Sequence, residues 1–172
     1  MWWVTETDEF TYSFKFNRLN KDILSGETRP TKLDVLRTLM SIFDPLGFLS
    51  PYVIHLKMLL QNIWKATEGW NTLVNDVHFE KWLFWLKLLP GIEQVKIPRW
   101  YIMQKGCSVQ LHIFVDAREY AYVAVGSFRI NCNGDVKCSL IMFKAKVAPK
   151  QPLSTPRMEM AAVLGTRLAK II

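Results

Sequence analysis

Val109-Gln110-Leu111-His112-Ile113-Phe114-Val115 is a run of strand length, rich in apolar residues, that ends on an acid, Asp116. Two further runs, over 120–130 and 136–146, share its β-branched and aromatic texture, and Asn133-Gly134 stands between them. Asn-Gly suits the two positive-φ positions of a tight hairpin turn, so the three runs read as consecutive antiparallel strands. A short loop with Pro149 and Pro152 leads to Ser154-Thr155-Pro156, where Thr155 is placed to cap a final helix and Pro156 to open it. Met160, Leu164, Leu168 and Ile171 recur at helical spacing and form its apolar face.

Upstream the texture is helical. Thr31-Lys32-Leu33-Asp34 is a Thr-x-x-Asp variant of the capping box, followed by Leu33, Leu36, Met40 and Phe43 at helical spacing. Asp44-Pro45-Leu46-Gly47 stops that helix, and Ser50-Pro51 starts a second with the stripe Val53, Leu56, Leu60 and Ile63. A third helix is predicted over 75–89, with Phe79, Trp82, Leu83, Leu86 and Leu89 on one side, ending at Pro90-Gly91. At the start, residues 10–16 alternate aromatic and polar side chains and read as a half-buried strand. Residues 17–29 read as a loop. The fold class that follows is α+β, a helical segment and then three antiparallel strands with a helix on them.

Of the 172 residues, 50% are hydrophobic, 13% aromatic and 22% charged, which excludes disorder over most of the chain. No apolar stretch has the length of a membrane span, and the N-terminus has no secretory signal pattern. Three cysteines, Cys107, Cys132 and Cys138, form an odd set without a Cys-x-x-Cys pair. Neither a disulfide framework nor a zinc knuckle is indicated, and an intracellular, reducing compartment fits. The net charge of +7 is uneven. Residues 1–100 hold twelve Lys/Arg against eleven Asp/Glu, and residues 101–172 hold ten against four. A basic C-terminal part points to a polyanionic partner such as nucleic acid.

His55, His78 and His112 stand apart, without His-Glu-x-x-His or mixed Cys/His ligand spacing, which argues against zinc. No glycine-rich phosphate loop occurs, nor the Asp-Thr-Gly or Asp-Ser-Gly of an aspartic protease. Trp64, Trp70, Trp82 and Trp85 have the chemistry of base-stacking platforms, but Trp64 and Trp82 fall on or beside apolar helical stripes, where packing explains them. Lys81 and Lys87 flank the third helix, where contact with phosphate and a solvated helix face explain them equally well. Two acids remain. Asp116 ends a strand and Glu159 lies in the first turn of the last helix, a placement from which both could reach one Mg²⁺. Turn formation by Asp and the helix dipole acting on Glu are the structural alternatives.

The order of motifs adds a family. Pro30-Thr31-Lys32, the block Ser41-Ile42-Phe43-Asp44-Pro45-Leu46-Gly47-Phe48-Leu49-Ser50-Pro51, Phe114-Val115-Asp116-Ala117, Tyr120-Ala121-Tyr122 and Thr155-Pro156-Arg157-Met158-Glu159-Met160-Ala161-Ala162 together resemble the Pol polyproteins of BEL/Pao LTR retrotransposons. The region concerned is catalogued as a Pao retrotransposon peptidase family. The resemblance implies that 1–107 is the end of a reverse-transcriptase palm with helical thumb and connection. It implies that 108–172 is the N-terminal half of a ribonuclease H-like domain. Asp116 then matches the first metal-binding aspartate and Glu159 the helix glutamate, so both are the candidate catalytic and Mg²⁺-binding residues.

The implied activity of the intact enzyme is reverse transcription and Mg²⁺-dependent hydrolysis of RNA in RNA–DNA hybrids. The implied partners are such hybrids and the rest of the Pol polyprotein, with no membrane. Two further nuclease aspartates and the Tyr-x-Asp-Asp of the polymerase are missing, and Arg118 replaces the family's Ser. The expectation is therefore a fragment that is inactive alone and holds Mg²⁺ weakly or not at all. The alternatives are a non-catalytic nucleic-acid-binding remnant and, disfavoured by the absent motif, an aspartic peptidase.

Overall fold

The structure, a computed structural model, describes residues 1–14, 16, 19–66, 69–101, 103–149 and 160–172. The chain forms two compact units, one of Met1–Asp44 with Pro51–Arg99 and one of Pro45–Ser50 with Trp100–Ile172.

The first unit is built on helices. Thr31 caps α2 (Lys32–Met40) through the expected box: its side chain accepts from the Asp34 amide, and the Asp34 carboxylate accepts from the Thr31 amide. The buried face of α2 agrees with the predicted one only in part. Leu36 packs against the core as expected, but Met40 and Phe43 are exposed, whereas Lys32, Val35 and Thr38 are buried. The rotation follows from Lys32, only 2% exposed, whose Nζ lies 4.3 Å from the Trp64 ring centre and 5.7 Å from that of Trp70. Aromatic faces compensate a cation for lost water, so a lysine occupies a position that apolar counting denies it.

Before α2, a short helix α1 (Lys21–Ser25) stands where a loop was predicted, capped by Asn20, whose side chain accepts from the Asp22 amide. Helix α3 (Ser50–Ala66) buries Leu56, Leu59, Leu60 and Ile63. Helix α4 (Asp76–Leu86), capped by Asn75, adds Trp82 and Trp85 to the same core, with ring centres 5.7 Å apart. Pro90 does not end this helix but sits in the first turn of a separate one, α5 (Leu89–Glu93), where its missing N–H costs nothing.

The strand predicted over 10–16 is shorter. Strand β2 (Glu9–Thr11) pairs antiparallel with β1 (Trp2–Val4) and β3 (Ile97–Pro98). The ladder stops because the next groups are used elsewhere: the Tyr12 hydroxyl donates to Asp44 at 2.8 Å, and the Phe14 amide donates to Glu93 at 3.1 Å. Burial and then the Asp44 contact hold the Tyr12 hydroxyl well above the ordinary phenol pKa.

His78 in α4 is buried, and its Nδ1 has no hydrogen-bond partner among the described residues. Burial, and then Lys81, lower its pKa from 6.5. The unfolded histidine therefore binds a proton more readily than the folded one. Stability from this site is complete above 6.5 and declines as the pH falls through 6.5 toward the lowered folded value. Urea midpoints measured at neutral and mildly acidic pH should show this decline, and it should flatten in His78→Gln; an equal acid loss in both proteins would refute it.

In the second unit, β4 (Ser108–Ala117), β5 (Ala121–Cys132) and β6 (Asp135–Val147) form the antiparallel sheet expected, in that order. Asn133 and Gly134 both have positive φ, 55° and 93°, as the hairpin between β5 and β6 requires. A bulge shifts the β5–β6 register between Gly126 and Ser127. Helix α6 (Met160–Ala169) packs Leu168 against Ala124, with Ile113, Tyr122 and Met142 around them. Ile171, predicted on that apolar face, is exposed. The predicted Thr155 cap and the side chains of Met160 and Leu164 lie outside the described residues. Pro45–Ser50 lies along β6, where the Phe143 amide donates to the Leu46 carbonyl at 2.8 Å.

The cysteine expectation is corrected. Cys107 and Cys132 form a disulfide with a Cα–Cα distance of 4.4 Å. Ser108 pairs with Asn131, so Cys107 and Cys132 are the next facing residues of the β4–β5 ladder. Register, invisible to cysteine spacing, brings them together.

Candidate functional site

Strand alternation decides where Asp116 points. Ile113 packs against α6, so the odd-numbered residues of β4 face the helix and Gln110, His112, Phe114 and Asp116 face the other way. Asp116 pairs with Val123, and its Oδ1 accepts from the Ala117 amide at 2.9 Å. The Arg118 amide donates to the Ala121 carbonyl at 2.8 Å, closing the turn into β5. This holds Arg118 beside the acid, with Nε 3.8 Å from Asp116 Oδ2 and the two side chains 86% and 69% exposed. An ion pair so exposed is screened by water and contributes little to stability. Glu159 lies outside the described residues.

Mg²⁺ needs converging oxygen donors. Among the described residues no three His, Cys, Asp or Glu side chains cluster. Of the two candidate ligands, Asp116 alone is among the described residues, and it stands beside the Arg118 guanidinium.

The same face carries a polar strip that motif reading missed. Arg129 Nη1 donates to Gln110 Oε1 at 3.2 Å, and the His112 and Phe114 rings stack with centres 6.3 Å apart. On the helix side, Lys137, Lys144 and Lys146 of β6 lie opposite Ile130, Ala124 and Tyr122 and so share one face. Their signal was present as i, i+2 spacing of Lys144 and Lys146. Overall the sheet unit holds ten Lys/Arg against four Asp/Glu, and the helical unit twelve against eleven.

A family model, the Pao retrotransposon-like RNaseH-like domain, matches residues 31–172. The chain belongs to that family. Its match begins at Thr31, the cap of α2, and so takes in helices of the first unit as well as the whole sheet. The α+β architecture agrees with a Pao RNase H-like domain and with a Pao/BEL retrotransposon Pol origin. The description names a ribonuclease H-like domain and not a peptidase. No curated protein and no solved structure matches the chain. Among the described residues, no helix of this Pao domain is long and apolar enough to cross a membrane.

Proposed function

We propose that this Pao RNase H-like chain binds nucleic acid, RNA–DNA hybrid in particular, through the basic surface of its sheet unit. The observation that carries this is the placement of the excess charge: the surplus of Lys/Arg falls on the sheet unit, while the helical unit is near balance. Lysines two apart on one strand face stand about 7 Å from one another, close to the spacing of successive phosphates. Lys144 and Lys146 are the contacts of choice.

Asp116 and Glu159 are the pair we assign to Mg²⁺ in the intact family enzyme, on the strength of the family resemblance. Arg118 beside Asp116 supports the reading that this chain holds Mg²⁺ weakly, and no hydrolytic step is assigned to it. The reading is that of a binding module.

The test is hybrid binding by fluorescence anisotropy across a salt series, joined to a cleavage assay in Mg²⁺ and in Mn²⁺. Affinity should fall steeply with salt, and Lys144→Glu with Lys146→Glu should lower the log–log slope by about two. Salt-independent binding would refute the interface. Cleavage above background by the parent that disappears in Asp116→Asn would refute the assignment as a binding module and restore the nuclease.

A further inference from the structure

We propose that Cys107 and Cys132 are a reversible thiol–disulfide clasp that locks the entry end of β4 and makes the order of that strand depend on the surrounding glutathione couple. The argument begins with the ladder. Ten consecutive pairs run from Ser108 opposite Asn131 to Ala117 opposite Tyr122, and Cys107 and Cys132 are the residues one step beyond the end of that ladder, joined by the disulfide. Their Cα separation of 4.4 Å is that of a closely spaced rung, about 4.5 Å, at which facing residues exchange no backbone hydrogen bonds. The Cys107 amide is used elsewhere, donating to the Gln104 carbonyl at 3.1 Å. Strand pairing therefore holds the two sulfurs within bonding reach whether they are joined or not.

Access and selectivity follow from the same register. Both cysteines are only partly buried, so a small thiol can reach them. Cys138 pairs with Arg129, which puts it on the face opposite Cys132, so it cannot replace either partner without crossing the sheet. Among the three cysteines, one pairing is built in.

The position gives the clasp its effect. Among the described residues β4 is paired with β5 alone, leaving its other edge without a strand. An edge strand frays from its ends, and Cys107 is the first residue before β4. Bridging it to the end of β5 closes the open end of the β4–β5 hairpin, whose other end is already closed by the Arg118–Ala121 bond. The chemistry is two exchanges. One protein thiolate attacks glutathione disulfide, forming a mixed disulfide and releasing one glutathione thiolate. The second protein thiolate attacks the protein sulfur of that mixed disulfide and releases the other. The protein loses two protons and two electrons, and one glutathione disulfide becomes two glutathiones.

The experiment places the purified chain in glutathione buffers from fully reducing to fully oxidising. It follows free thiols by titration and amide hydrogen exchange by mass spectrometry. In Cys138→Ser, which removes the exposed third thiol, the free-thiol count should fall from two to none on oxidation, with no glutathione retained on the protein. Amides of Gln110 and His112, which by the same alternation as Arg118 point toward β5, should exchange about ten- to a hundredfold more slowly in the oxidised chain than in the reduced one. Reversal on adding reduced glutathione should restore both readings. The clasp is refuted if Cys107 and Cys132 stay reduced in excess glutathione disulfide, if they become two stable mixed disulfides, or if exchange at β4 is the same in both states. Because the comparison uses redox forms of one chain, it does not depend on a variant that folds.

Discussion

Gly47→Ala should destabilise the sheet unit by about 3–5 kcal/mol, a large share of the stability of a small domain. Gly47 has φ of 78°, and a Cβ placed there would run into the Phe143 carbonyl oxygen and lie 2.7 Å from its carbon. These are backbone atoms of β6, opposite Val125 in the ladder, and cannot yield as a side chain would. The segment would have to lift away, breaking the Phe143–Leu46 hydrogen bond and exposing Phe48 and Leu49, both now buried. Gly91→Ala is the control. A Cβ there meets nothing within 4 Å, and the position is helical, so the change should be neutral or slightly stabilising. Urea unfolding monitored by hydrogen exchange in β6 separates the two; equal stability of both variants would contradict the account of the Pro45–Ser50 strap.

Trp82→Ala should cost about 4–5 kcal/mol and melt the helical unit first. The side chain is 0% exposed, stacks on Trp85, and donates from Nε1 to the Ile23 carbonyl at 3.3 Å. Truncation leaves a cavity and a carbonyl without its partner, and the two penalties act together. Phe84→Ala, two residues away on the exposed face of the same helix, should stay within about 0.5 kcal/mol of the parent. Near-ultraviolet circular dichroism under urea would report both. A Trp82 variant as stable as the Phe84 variant would mean that the core lies elsewhere.

The candidate site was legible in part. Asp116 is recognisable as the acid ending an apolar strand, and the structure puts it at the end of β4. Its orientation came from pairing, since Ile113 against Leu168 fixes which parity faces α6. Arg118 stands out in the sequence as a departure from the family pattern, yet its distance from Asp116 depends on the turn closed at Ala121. The lysines of β6 were visible as spacing, but their shared face became meaningful only with the β5 register.

By itself the sequence determined the elements whose causes lie within a few residues. The capping box of Thr31 and Asp34, the hairpin of Asn133 and Gly134 and the order of three strands are of this kind, because a cap or a turn is a contact between near neighbours. Tertiary structure decided what depends on partners far along the chain. Lys32 is buried because Trp64 and Trp70 close over it, which turns α2 away from its most apolar stripe. Cys107 meets Cys132 because ten ladder pairs align them. The segment from Pro45, legible only as a helix stop, becomes the cover of β6 because a carbonyl at Leu46 finds the Phe143 amide almost a hundred residues later. Local signals specify dihedral angles, whereas burial and pairing belong to surfaces that exist only once the chain has folded.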